Sequence, residues 1–194
     1  MSATLPAELR ELNEQLDAAE REVHALVAGL SREQGTQRPA AGSWSVAECL
    51  DHLARANRVY LSAMQGPATR AQTRGSRRQR PALPGWIGGL FVRSLEPPAR
   101  WWSRLKAPRS IRPDAVPLAE AFADFTASQT DVREFLRQHG ALDLAAIRFP
   151  NPFVPGIRFS IATGLHVITA HERRHLWQAR RIREELERGS RPLT

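Results

Sequence analysis

Apolar side chains recur every third or fourth residue along four stretches of this chain, and no stretch of any length alternates with a period of two. Such spacing lines one face of a helix with apolar groups and argues against a sheet-based core. The first stretch, residues 5 to 30, carries Leu9, Leu12, Leu16, Ala19, Val23, Leu26 and Val27. The second opens at Ser45, which forms a capping box with Glu48, and runs from residue 46 to about 64. The third, residues 118 to 138, lies on Leu118, Phe122, Phe125, Thr126, Val132, Phe135 and Leu136, and Gly140 ends it. The fourth runs from about residue 160 to about 187, with Gly189 and Pro192 beyond its end. Residues 31 to 43 read as a turn-rich loop, and 141 to 159 as a linker punctuated by Pro150, Pro152 and Pro155. Residues 66 to 117, broken by repeated Pro and Gly, read as a long irregular connection between helices two and three. A chain of 194 residues in this pattern predicts one all-α domain, a four-helix bundle.

Composition narrows the classes further. The single cysteine, Cys49, excludes an internal disulfide and a Cys-rich zinc site, and fits a reducing, cytoplasmic setting. Residues 1 to 6 lack the basic start and apolar run of a signal peptide, and no run approaches the roughly 20 apolar residues of a membrane span. Residues 66 to 112 hold ten arginines and Lys106 against one acid, Glu96. That segment carries +10 of a chain whose net charge is +8, which leaves −2 for the rest. A near-neutral body with one basic segment is not the pattern of a general nucleic-acid binder.

His171 and His175 stand four residues apart, about 40° from one another around a helix, in the run His171-Glu172-Arg173-Arg174-His175. Val167, Gln178 and Ile182 share their stripe. Two imidazoles on one helix face supply half of a metal site. His166 lies about 140° away and is a poor third ligand. His52, on the second helix, is surrounded on its face by Glu48, Cys49, Ala56, Val59 and Ala63. If the two helices are neighbours, His52, His171 and His175 converge. His24 and His139 read as surface residues. The run also matches the zinc-protease pattern H-E-x-x-H, but no further ligand follows it except carboxylates continuing the same helix, and no edge strand is visible to hold a peptide.

Several of these pieces resemble the DinB-like superfamily of metal-binding four-helix bundles, which includes the YfiT-like proteins. The match rests on Gly42-Ser43-Trp44-Ser45 followed by Glu48 and His52-Leu53, on Asn151-Pro152-Phe153, and on His171 to Gln178. It covers nearly the whole chain. The resemblance implies an up-down-down-up bundle holding a divalent metal, zinc or nickel, on three histidines. By position these are His52, His171 and His175, the set that the helix faces select. Many relatives carry His where this chain has Asn151, and the basic, Trp-bearing connection looks longer than usual. Relatives include thiol transferases using mycothiol or bacillithiol and maleylpyruvate isomerases.

Three imidazoles leave a divalent ion at least one open position, as a catalytic site requires. The expected function is thiol transfer to, or hydrolysis of, a small electrophilic substrate, with a low-molecular-weight thiol as partner. Glu48 and Gln178 are the catalytic candidates, and either also fits a structural role. The alternative is a non-enzymatic metal-binding stress-response module. For Trp86, Phe91, Trp101 and Trp102 among the arginines, the expectation is packing on the bundle or on a second copy in a homodimer. Peripheral contact of residues 84 to 106 with an anionic membrane, and stacking on single-stranded nucleic acid, are the alternatives.

Overall fold

The computed structural model describes residues 5–98 and 107–189, so Trp101, Trp102 and Lys106 fall outside the described residues. The architecture is mostly helical. The four expected helices are α1 (Ala7–Val27), α3 (Val46–Thr73), α5 (Leu118–His139) and α6 (Ile161–Gly189). Two more lie where loops were expected: α2 (Arg32–Thr36), opened by its own capping box at Ser31, and α4 (Trp86–Leu95) inside the connection. A 3-10 turn covers Arg109–Ile111. Two strands, β1 (Arg148–Pro150) and β2 (Arg158–Ser160), form an antiparallel hairpin in the segment read as a linker.

The four long helices pack side by side, with α3 against α5 and α6, and α1 against the same two. Their buried apolar residues fall into two clusters. One gathers Leu9, Leu12 and Leu16 of α1, Tyr60 and Met64 of α3, Val132 and Phe135 of α5, and Ile161 to Ile168 of α6. The other gathers Val23 and Leu26, Val46 to Leu53, Leu118 to Phe125, and Leu176 to Leu186. Between them along α3, α5 and α6 come buried polar groups: Asn57, Ser128 with Gln129, and Glu172. The core is thus two apolar halves separated by a polar layer.

Local chemistry explains the departures from expectation. Pro67 sits inside α3 and deprives it of one backbone bond, yet Ala68 and Ala71 beyond it are buried, and that burial carries the helix to Thr73. Gly75, at φ 73°, then closes it, with Gly75 N–H donating to the Gln72 carbonyl and Ser76 N–H to the Ala71 carbonyl. The hairpin forms because Phe149 and Phe159 are direct partners and both enter the core. Asn151 Oδ1 accepts from the Phe153 and Val154 amides and shapes the turn between the strands.

Helix α4 lies on α6 through Gly88, where a Cβ would come within 2.5 Å of Thr163 Oγ1, and through Phe91, whose ring is 5.1 Å from that of Phe159. Glu96, the one acid of the basic segment, pairs with Arg173 of α6. Of the two packings expected for Trp86, the one on the bundle is not made: it is 81% exposed, and Ile87, Leu90 and Leu83 near it in the chain are exposed too. His139 is also not at the surface. It is buried against Phe135, with Gln65 Nε2 3.4 Å from its Nε2. His24 is exposed, its ring edge-on to Phe122.

Candidate metal centre

The Ser45–Glu48 capping box fixes where α3 begins and therefore which way His52 points. Glu48 Oε2 accepts from the Ser45 amide at 2.8 Å, and Ser45 Oγ accepts from the Glu48 amide. One turn beyond Glu48, His52 enters the interface with α6, as expected, and meets His171 and His175. The three imidazoles form one group whose ligand atoms all lie within 4.8 Å of one another. Ring centroids are 4.9 Å apart for His52 and His171, and 4.5 Å for each of the other two pairs. His52 and His175 are buried and His171 is half-buried.

The hydrogen bonds aim the rings. His52 Nδ1–H donates to the Ile111 carbonyl at 2.6 Å, and His175 Nδ1–H donates to Gln178 Oε1 at 3.0 Å. Each bond commits the δ nitrogen to its proton and leaves the ε nitrogen as a bare lone pair. The Nε2 atoms of His52 and His171 face each other at 3.2 Å. That is close to the separation of about 3.3 Å for two nitrogens some 2.0–2.1 Å from one tetrahedral ion. Two bare nitrogens at this distance repel unless a proton or a cation sits between them, and a donor set of three imidazoles fits a divalent metal. Trp44, half-buried, closes one side, with its ring stacked 5.5 Å from His175 and tilted 4.7 Å from His52.

Burial holds all three imidazoles below their usual pKa. His171 and His175 lie well below it, through burial first and then the neighbouring histidines and Arg174. For His52 burial is again the main cause, partly offset by its bond to Ile111 and the charge of Asp51. Neutral imidazoles are what metal binding requires. The sign of the pH effect follows. An unfolded histidine takes up a proton near pH 6.5 while the folded one resists, so stability is full above about 6.5 and falls below it. The expected slope is up to about 1.4 kcal/mol per pH unit for each of the buried His52 and His175. Glu172 opposes one such slope between 4.5 and about 7. Urea titrations of metal-free protein from pH 8 to 5 should show a net loss of stability on acidification, which His52→Ala/His175→Ala flattens. An unchanged profile in that variant contradicts the buried neutral state.

The other expected residues divide. Gln178 reaches the group through His175. Glu48 is one turn from His52, but its carboxylate is paired with Arg38 and lies on a groove of about 380 Å³ lined also by Arg32, Ser45 and Val116. Burial opposes ionisation of Glu48, and the hydrogen bonds and charge of Arg38, with the Ser45 amide, outweigh it and hold the carboxyl below its ordinary value. His166, as expected, stays outside the group, its Nε2 3.3 Å from the Ala82 carbonyl. Asn151 belongs to the hairpin turn.

Glu172 points away from the imidazoles and is fully buried in the polar layer, where its Oε1 accepts from Asn57 Nδ2 at 2.8 Å and Gln129 Nε2 at 2.6 Å. That position removes the protease reading of His171-Glu172-Arg173-Arg174-His175. Two partners of the site were missed from the sequence. Ile111 contributes a backbone carbonyl, which carries no side-chain signal. Trp44 stood inside the family-like motif and had the signal of a ring one residue before a helix cap.

Comparison with known families agrees with the geometry. Residues 15–179 match the model of the DinB superfamily, a span holding all three histidines and both residues that bond their δ nitrogens. No curated protein matches the chain.

Proposed function

The chain belongs to the DinB superfamily, and on that premise we propose that it is a metal-dependent enzyme holding zinc or nickel on His52, His171 and His175. Its reaction is transfer of a low-molecular-weight thiol to a small electrophile, with hydrolysis of such a substrate as the nearest variant. One observation carries the reading: three neutral imidazoles face a common point, and two of them are held there by hydrogen bonds at the opposite nitrogen. A divalent ion on three imidazoles keeps a position open and lowers the pKa of a thiol or water placed there.

The chain's own residues then divide the work. Gln178 and the Ile111 carbonyl are positioning groups, acting through His175 and His52. Trp44 excludes water from one side of the imidazoles. Arg174, half-buried beside all three histidines, favours the anionic form of whatever approaches. Glu48, kept ionised by Arg38, is the candidate for proton handling. The helices are taken in up-down-down-up order. The distribution of the core supports this, because α1 and α6 run from the first apolar cluster to the second, and α3 and α5 run the other way.

A panel of low-molecular-weight thiols with a small electrophile tests the activity. The expected result is metal-dependent loss of free thiol, abolished in His171→Ala and reduced in Gln178→Ala. Full metal content with no turnover of any thiol or ester would instead support the non-enzymatic module.

A further inference from the structure

The last turns of α3 and the outer face of the β1–β2 hairpin enclose an open groove of about 460 Å³. Arg70 lines it from the last turn of α3 and Arg74 from the residue that caps that helix, with Arg148 and Arg158 from the two strands. Among the described residues no carboxylate lines it. None of these four arginines is ion-paired with a described residue, whereas the nearby Arg78 and Arg80 pair with Glu8 and Asp143.

Their placement follows from the local folds. Arg70 and the C-cap residue Arg74 are four residues apart and lie on one side of the end of α3, with the Arg74 amide donating to the Arg70 carbonyl. Phe149 and Phe159 turn inward as direct partners, so the preceding residues of each strand, Arg148 and Arg158, turn outward together. The Gly75 turn anchors one wall, and a bond from Arg158 Nη2 to the Arg148 carbonyl ties the other. Arg70 lies about 27 Å along the helix from His52, so the groove is separate from the histidine group.

Four like charges around one concavity repel one another until an anion enters. Guanidinium forks match the paired oxygens of phosphate, and the volume suits a small molecule. We propose that this groove binds phosphate oxyanions, carried by a soluble phosphate ester or by a lipid headgroup.

Calorimetry on the full chain tests it, with inorganic pyrophosphate as the soluble probe and phosphatidic acid vesicles as the headgroup probe. All measurements are made in a His171→Ala background, so that the metal centre does not take the probe. Saturable pyrophosphate binding is expected, weakened roughly tenfold or more in Arg70→Ala/Arg74→Ala and again in Arg148→Ala/Arg158→Ala. Circular dichroism should be unchanged, since all four side chains are exposed. Vesicle binding with the same arginine dependence, without pyrophosphate binding, assigns the site to a headgroup. The proposal is overturned if neither probe binds, or if both double variants bind like their parent.

Discussion

His171→Ala should reduce bound metal from about one ion per chain to less than about a tenth of that, with affinity falling by roughly 10³ or more. The effect is large because the two remaining imidazoles no longer hold an ion against water. The fold should survive it. His171 is half-buried, alanine is the best helix former, and the apolar clusters on either side are untouched. Gln178→Ala supplies the graded control. It leaves all three ligands in place but frees Nδ1 of His175, so both the ring orientation and the tautomer are lost, at an expected cost of about 10- to 100-fold in affinity. Metal analysis of protein purified without chelators reads both variants. Full metal content in His171→Ala removes the three-histidine site, and wild-type affinity in Gln178→Ala removes the positioning role.

The second large effect is in the polar layer. Burial raises the Glu172 carboxyl to about pH 7 against the hydrogen bonds of Asn57 and Gln129 and the charges of Arg173 and Arg133. A folded pKa above the unfolded value of 4.5 stabilises fully below 4.5 and loses that contribution as pH rises through about 7. By pH 8 the ionised group costs on the order of 3 kcal/mol. Glu172→Gln should therefore unfold at higher urea than wild type at pH 8, by up to that amount. The amide also supplies a donor where Asn57 Oδ1 and Gln129 Oε1 have none. Glu172→Ala instead leaves a cavity and strands the Gln129 amide, and should fall about 2–4 kcal/mol below Glu172→Gln. Metal content of Glu172→Gln should equal wild type. Lower stability of Glu172→Gln at pH 8, or loss of metal from it, would contradict this account.

The legible parts of the chain were those where one face of one helix carries the signal. The apolar stripes of α1, α3, α5 and α6 located the helices, and the stripes bearing His52, His171 and His175 selected the three imidazoles that converge. The connection was harder to read. Helix α4 contains Gly88 and Gly89, which local propensity reads as breakers, yet Gly88 is what allows close approach to Thr163. The end of α3 was placed too early because Pro67 is a strong local stop, and only tertiary burial of Ala68 and Ala71 overrides it. Asn57 and Gln129 were passed over because each is a lone polar residue on its own helix. They have meaning only once Glu172 is placed between them. Three-residue strands such as β1 and β2 are too short to show a period, and their pairing depends on Phe149 meeting Phe159.

One imidazole serves two masters. The Nδ1 proton of His52 is held by Ile111, the last residue of the 3-10 turn at the far end of the long connection, while its other nitrogen faces the site. By thermodynamic reciprocity, an ion that fixes this ring must tighten the ring's grip on the backbone at Ile111, and a loosened connection must weaken the ion by the same factor. The occupancy of the centre is thereby coupled to the order of a segment more than fifty residues away in sequence, with no allosteric machinery beyond the two ends of a single ring.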